Sequence, residues 1–156
     1  MTSDNPLLAT LAGLCATSPT PWGDVLAAVT KHFDCPVGTI HLLDAKDGML
    51  HLAAFQGLPQ PVLEKVQVIP IGKGMAGIAA ERKEPVQMCN LQTDSSGVAK
   101  PDAKLTKMEG SIAAPMMHGG QLFGVLGVAK PVSYDFPAEE SALLMQCGEL
   151  LAGGHQ

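Results

Sequence analysis

Ser111-Ile112-Ala113-Ala114-Pro115-Met116-Met117-His118-Gly119-Gly120-Gln121-Leu122-Phe123-Gly124-Val125-Leu126-Gly127-Val128-Ala129-Lys130 is two apolar runs around a pair of glycines. A two-residue Gly-Gly connection suits the primed turns whose twist matches paired strands, so Ser111 to His118 and Gln121 to Lys130 read as an antiparallel hairpin. Upstream, Val37 to Asp44 and Met49 to Gln56 are extended runs around the turn residues Ala45-Lys46-Asp47-Gly48, a second hairpin. Between the hairpins, Val66 to Ile71 reads as a short strand entering Gly72-Lys73-Gly74, and Met75 to Arg82 as a helix. A helical turn is expected near Val62 to Val66, an edge strand over Pro85 to Cys89, and a loop from Asn90 to Lys107.

The ends of the chain carry helical periods. Leu7, Leu8, Leu11, Leu14 and Cys15 form one stripe in a helix over 5–16, and Trp22, Leu26, Val29 and Phe33 form another. Thr20 is the expected N-cap of the second helix, with Pro21 at its first position. A last helix begins at Pro137, carries Leu143, Leu144, Cys147, Leu150 and Leu151 on one face, and is expected to end at Gly153-Gly154. The order is α+β: an antiparallel sheet of five to six strands, N- and C-terminal helices on one face, and the 57–110 segment over the other. The space between that segment and the sheet is the expected small-molecule pocket.

Composition narrows the function classes. The 156 residues are 46 % hydrophobic and 16 % charged, which makes one domain with material for a core and excludes a disordered chain. Ten Lys and Arg against fifteen Asp and Glu leave a net charge of −5, so nucleic acid is not an expected partner. Mean hydropathy is +0.19, and the apolar runs are shorter than the roughly 18 to 20 residues that span a bilayer, so no membrane partner is expected. Asp4 stands where a secretory leader carries positive charge, so the expected address is cytoplasmic.

Reactive side chains are scattered. Cys15, Cys35, Cys89 and Cys147 have no CxxC spacing, and Cys15 and Cys147 sit on apolar stripes, which leaves Cys89 as the thiol of interest. His41 and His51 share a face if the first hairpin turn holds three residues, and lie on opposite faces if it holds four. With His118 they would make a metal set, but the simpler reading is a pocket-wall His41 and two peripheral histidines. Met75, Met88, Met108, Met116 and Met117 read as adaptable packing. Gly72-Lys73-Gly74 lacks the GxxxxGK[ST] pattern of a nucleotide loop, yet it opens a helix whose N–H groups favour a small anion.

Ile40-His41-Leu42-Leu43-Asp44, Ile71-Gly72-Lys73-Gly74-Met75-Ala76-Gly77, Ser111-Ile112-Ala113-Ala114-Pro115 and Gly124-Val125-Leu126-Gly127-Val128, in that order, resemble the GAF domain family over about 20–152. The resemblance implies one such domain over 1–156, with a PAS-like sheet and a ligand pocket. It further implies a stand-alone sensory module that acts in bacterial two-component or related signalling, with a sensor kinase or other signalling protein as partner.

One branch of the family is catalytic, the free methionine-(R)-sulfoxide reductases. The resemblance places its cysteines at Ala76 and within Val98-Ala99-Lys100-Pro101, where this chain has none. Its substrate-binding acids would fall at Ser111, Gly127 and Ala129. Sulfoxide reduction needs an attacking thiolate and a resolving thiol, so a non-enzymatic module is expected. The same comparison names the expected ligand-binding residues: Val37, His41, Met75, Ala76, Ala99, Ser111, Gly127 and Ala129. The expected ligand is a small polar or anionic molecule, with no catalytic residue, metal or cofactor. A reductase relative, degenerate or active, and a ligand-free dimerisation module are the alternatives. A homodimer is expected if only one of the two leucine stripes is consumed in the core.

Overall fold

Alternating apolar strands need a partner on each face, and the chain supplies two different ones. The computed structural model describes residues 5–17, 19–90 and 108–155. In chain order these form α1 (Pro6–Cys15), α2 (Trp22–Phe33), β1 (Val37–Asp44), β2 (Met49–Gln56), α3 (Gln60–Lys65), β3 (Val68–Ile69), α4 (Gly74–Arg82), β4 (Val86–Met88), β5 (Gly110–His118), β6 (Gln121–Lys130) and α5 (Ala138–His155). The six strands make one sheet in the order β3-β2-β1-β6-β5-β4, and every pair is antiparallel. The β5–β6 turn is the expected one: Gly119 and Gly120 have φ of 59° and 79°, which only glycine adopts without cost.

Helices α1, α2 and α5 close one face. Leu7, Leu8 and Leu11 share a buried core with Leu144, Cys147 and Leu151, together with Ile40, Ile112, Ala114 and Leu126 of the sheet. Both leucine stripes are therefore spent against each other and the sheet, which removes the reason to expect a homodimer from them. Asn5 caps α1, its side-chain oxygen accepting from the Leu7 amide at 2.8 Å. At the other end of α2, the Lys130 ammonium donates to the carbonyls of Phe33 and Asp34 at 2.5 and 3.3 Å. That satisfies acceptors the helix leaves unpaired.

Two helix ends differ from expectation. Pro21, not Thr20, is the N-cap of α2, and the first helical bond runs from Val25 N to the Pro21 carbonyl at 3.0 Å. The ring at ψ 80° is still outside the helix. The last helix passes Gly153 and Gly154 and reaches His155. Its glycines permit close approach instead of ending the helix: a Cβ on Gly148 would lie 3.1 Å from the Met116 Cα, and one on Gly153 3.0 Å from the His118 ring.

The opposite face is covered by α3 and α4, with the edge strand β3 between them in the chain. Its core is smaller, holding Leu50, Ala79, Ala80, Val86, Ala113 and Val125.

Candidate functional site

Between that cover and the sheet lies a cavity of about 190 Å³. Period-two alternation puts the odd-numbered residues of three central strands on its floor. Val37, Ala129 and Ser111 form one cross-strand row, Thr39, Gly127 and Ala113 the next, and His41 with Val125 the third. The space exists because four of these eight are Gly, Ala or Ser in the middle of a sheet whose other face is packed with Leu and Ile. A Cβ on Gly127 would meet only the Thr39 hydroxyl at 3.3 Å and the Ile112 carbonyl at 3.7 Å.

Of the expected ligand-binding residues, Val37, His41, Met75, Ala76, Ser111, Gly127 and Ala129 all line this cavity. Ala99 lies outside the described residues. Thr39, Ala113 and Val125 were missed, although their strand parity with the expected residues would have found them. The cover contributes Lys73 and Gly74, from the glycine turn singled out for anion binding, and Leu58, Val62, Lys65, Val66, Ile69 and Pro70, which no local pattern marked as lining.

His41 is the buried polar group of the site, 1 % exposed. A carbonyl only accepts, so the 2.8 Å contact means that Nε2–H donates to the Val66 carbonyl at the end of α3. The bond ties the cover to the floor. The other ring nitrogen, Nδ1, is buried with no hydrogen-bond partner among the described residues. Burial pushes the His41 pKa below its ordinary value, with the Val66 carbonyl partly opposing, so the ring is neutral near pH 7.

Helix α4 points its first turn at the cavity. Lys73, its N-cap, makes no capping hydrogen bond, so the amides of the opening turn, including those of the lining residues Gly74, Met75 and Ala76, lack intrahelical partners. A Cβ on Gly77 would sit 2.5 Å from the Pro70 carbonyl, so only glycine lets α4 lie this close to the preceding turn. Ser111 Oγ donates to the Val128 carbonyl at 3.4 Å.

The candidate metal sets do not assemble at this site. The β1–β2 turn holds four residues, pairing Asp44 with Met49 and Leu42 with His51, so His41 and His51 face opposite sides. A bulge at Ala53, between the Ile40–Ala54 and His41–Leu52 pairs, shifts the register only beyond His41, away from the turn. His51 Nε2 is instead 2.7 Å from Asp47 at the exposed hairpin end, where the Asp44 and Asp47 carboxylates also accept from turn amides. His118 lies beside Gly153 on the helix side. Of the five methionines read as adaptable packing, Met75 alone lines the cavity, and Met116 belongs to the helix-side core.

None of the cysteines lines the cavity among the described residues. Burial raises the Cys35 thiol to about 11 and the Cys147 thiol to about 12, while Cys89 is exposed.

An antiparallel sheet with helices on one side and a covered cavity on the other defines the class of fold. The family model for the GAF domain matches residues 23–153, and the chain belongs to that family. No curated protein matches the sequence. Among solved structures, the chain is similar to the GAF domain of a phosphoenolpyruvate-protein phosphotransferase from Coxiella burnetii, with TM-score 0.79, 21 % identity, and 95 % of this chain and 89 % of that one covered. It is also similar to a free methionine-R-sulfoxide reductase from Neisseria meningitidis in complex with its substrate, with TM-score 0.76, 20 % identity, and coverage of 96 % and 86 %. A domain assigned to a two-component sensor histidine kinase of Sinorhizobium meliloti 1021 matches with TM-score 0.64, 18 % identity, and coverage of 82 % and 83 %. At these identities the likeness is one of fold. Among the described residues, no helix is long and apolar enough to cross a membrane.

Proposed function

We propose that the protein is a non-enzymatic sensory or regulatory GAF module that binds a small polar or anionic molecule in the cavity. Its occupancy is passed to a partner protein such as a sensor kinase. The observation that carries this reading is the void itself: Ser111, Ala113, Gly127 and Ala129 keep the centre of one sheet face empty under a cover tied down by His41. Such a void costs stability unless it serves a ligand. Ala76 at the helix opening and the location of the described cysteines away from the cavity support a binding role over thiol chemistry. Self-association is no part of the reading, because the stripes that suggested it pack within the chain.

Thermal denaturation against a panel of nitrate, phosphate, short carboxylates, methionine sulfoxide and cyclic nucleotides tests it. A ligand at 100 times its Kd stabilises by about 2.7 kcal/mol, or roughly 5–10 °C for a domain of this size. Gly127→Leu fills the floor and should abolish the shift while the unliganded protein still folds. Consumption of methionine sulfoxide with a thiol reductant would overturn the non-enzymatic reading.

A further inference from the structure

Among the described residues, His41 is the buried side chain that lines the cavity and has a polar atom without a partner. Its ring crosses from floor to cover, with its backbone in β1 and Nε2–H donating to the Val66 carbonyl at 2.8 Å. That bond fixes the tautomer, because a carbonyl can only accept, and it leaves Nδ1 as a bare lone pair. Burial keeps the ring neutral, so no second N–H forms at Nδ1 near pH 7. A buried acceptor with no donor is costly, so a molecule that supplies one gains more there than it would at a group already served by water.

The rest of the lining narrows what approaches. The walls are largely apolar, with Val37, Val62, Ile69, Ala113, Val125 and Ala129, and the Thr39 and Ser111 side chains add two hydroxyls. The Ser111 hydroxyl donates to the Val128 carbonyl, which leaves its oxygen as a further acceptor. Thr39 Oγ1 stands 3.3 Å from where a Gly127 Cβ would be, so the open floor over Gly127 lies beside it and one row from His41. The polar atoms of the floor call for a donor, and the walls for an apolar body.

We propose that the ligand is a largely apolar molecule that donates an O–H or N–H hydrogen bond to His41 Nδ1, with its body over Gly127 and Ala113. This rests on the reading of the cavity as a ligand site. A molecule that turns an ether or carboxylate oxygen toward His41 sets one lone pair against another, and Nδ1 stays as unpaired as in the empty cavity.

Titration followed by nitrogen NMR of protein with isotope-labelled histidine tests the assignment. Indole and benzofuran share a shape and differ in N–H against O, while benzyl alcohol and benzylammonium carry a neutral and a charged donor on one body. Binding in the cavity is binding that Gly127→Leu abolishes, and the His41 resonances are those missing from His41→Leu. Indole should bind at least about fivefold more tightly than benzofuran and move the Nδ1 resonance upfield, as a lone pair that gains a donor does, whereas benzofuran should leave it in place. His41→Leu should bring the two to within about twofold of each other, and if that variant does not fold, the wild-type Nδ1 resonance decides. Movement of Nδ1 by either benzyl compound supports the assignment and tells which charge the donor carries. Benzofuran binding as tightly as indole, or cavity binding that leaves Nδ1 in place, would overturn the donor assignment and leave the cavity a ligand site. None of the four binding while another compound of the thermal panel does would overturn the donor class alone. Nothing binding in either experiment would overturn both.

Discussion

Lowering the pH from 7.5 to 5.5 should destabilise the protein through His41. The unfolded chain takes up a proton near 6.5, whereas burial holds the folded ring below that value. The folded state therefore binds fewer protons. Stability is flat above 6.5, declines as the pH falls below it, and levels off once the folded-state histidine protonates. With the folded group still neutral at 5.5, the unfolded state gains RT ln(11/1.1), so the loss reaches at most about 1.4 kcal/mol, or roughly 3–5 °C in Tm. Protonation would also place a second N–H at Nδ1, where no acceptor waits. Urea denaturation at both pH values, for the wild type and His41→Leu, isolates the effect, since the other histidines are present in both. The variant should lose about 1–3 kcal/mol at pH 7.5 by stranding the Val66 carbonyl, and should show a shallower pH dependence. Equal slopes in the two proteins, or a wild type more stable at 5.5, would refute the neutral buried histidine.

Two helical glycines should respond to alanine with opposite signs, read as denaturation midpoints. Gly13→Ala, with nothing within 4 Å of the new methyl, should stabilise by about 0.5–1 kcal/mol, while Gly77→Ala, driven against the Pro70 carbonyl at 2.5 Å, should destabilise by about 2 kcal/mol. Iodoacetamide at pH 8 followed by mass spectrometry should label Cys89 first and leave Cys35 and Cys147 unmodified until denaturant is added, because burial holds both thiols protonated and covered. Leu11→Ala should cost about 2–5 kcal/mol in chemical denaturation, the range for a fully buried leucine at the meeting of α1, α5 and the sheet.

The floor of the site was legible, and it is a strand pattern. The family resemblance named Val37, His41, Ser111, Gly127 and Ala129, and their shared parity within each strand agrees with one sheet face. The cover was legible as a segment, 57–110 over the second face, but not residue by residue. Leu58, Val62 and Lys65 belong to short elements whose local spacing does not say which of their side chains will turn toward the sheet. His51 shows the limit at single-residue scale. The length of the turn, four residues rather than three, decides which face it takes, and that is settled by pairing energies across β1 and β2.

Turn chemistry, helical and strand periods and the order of elements determined the α+β architecture from the residues alone, because each is a local preference summed over a few neighbours. The glycine-flanked start of α4 belongs to the same local class. Tertiary structure alone decided that the two leucine stripes pack against each other, that α5 runs through its glycines, and that small residues on two adjacent strands leave a void on one sheet face. Those outcomes depend on contacts between segments tens of residues apart, and no window of sequence contains them.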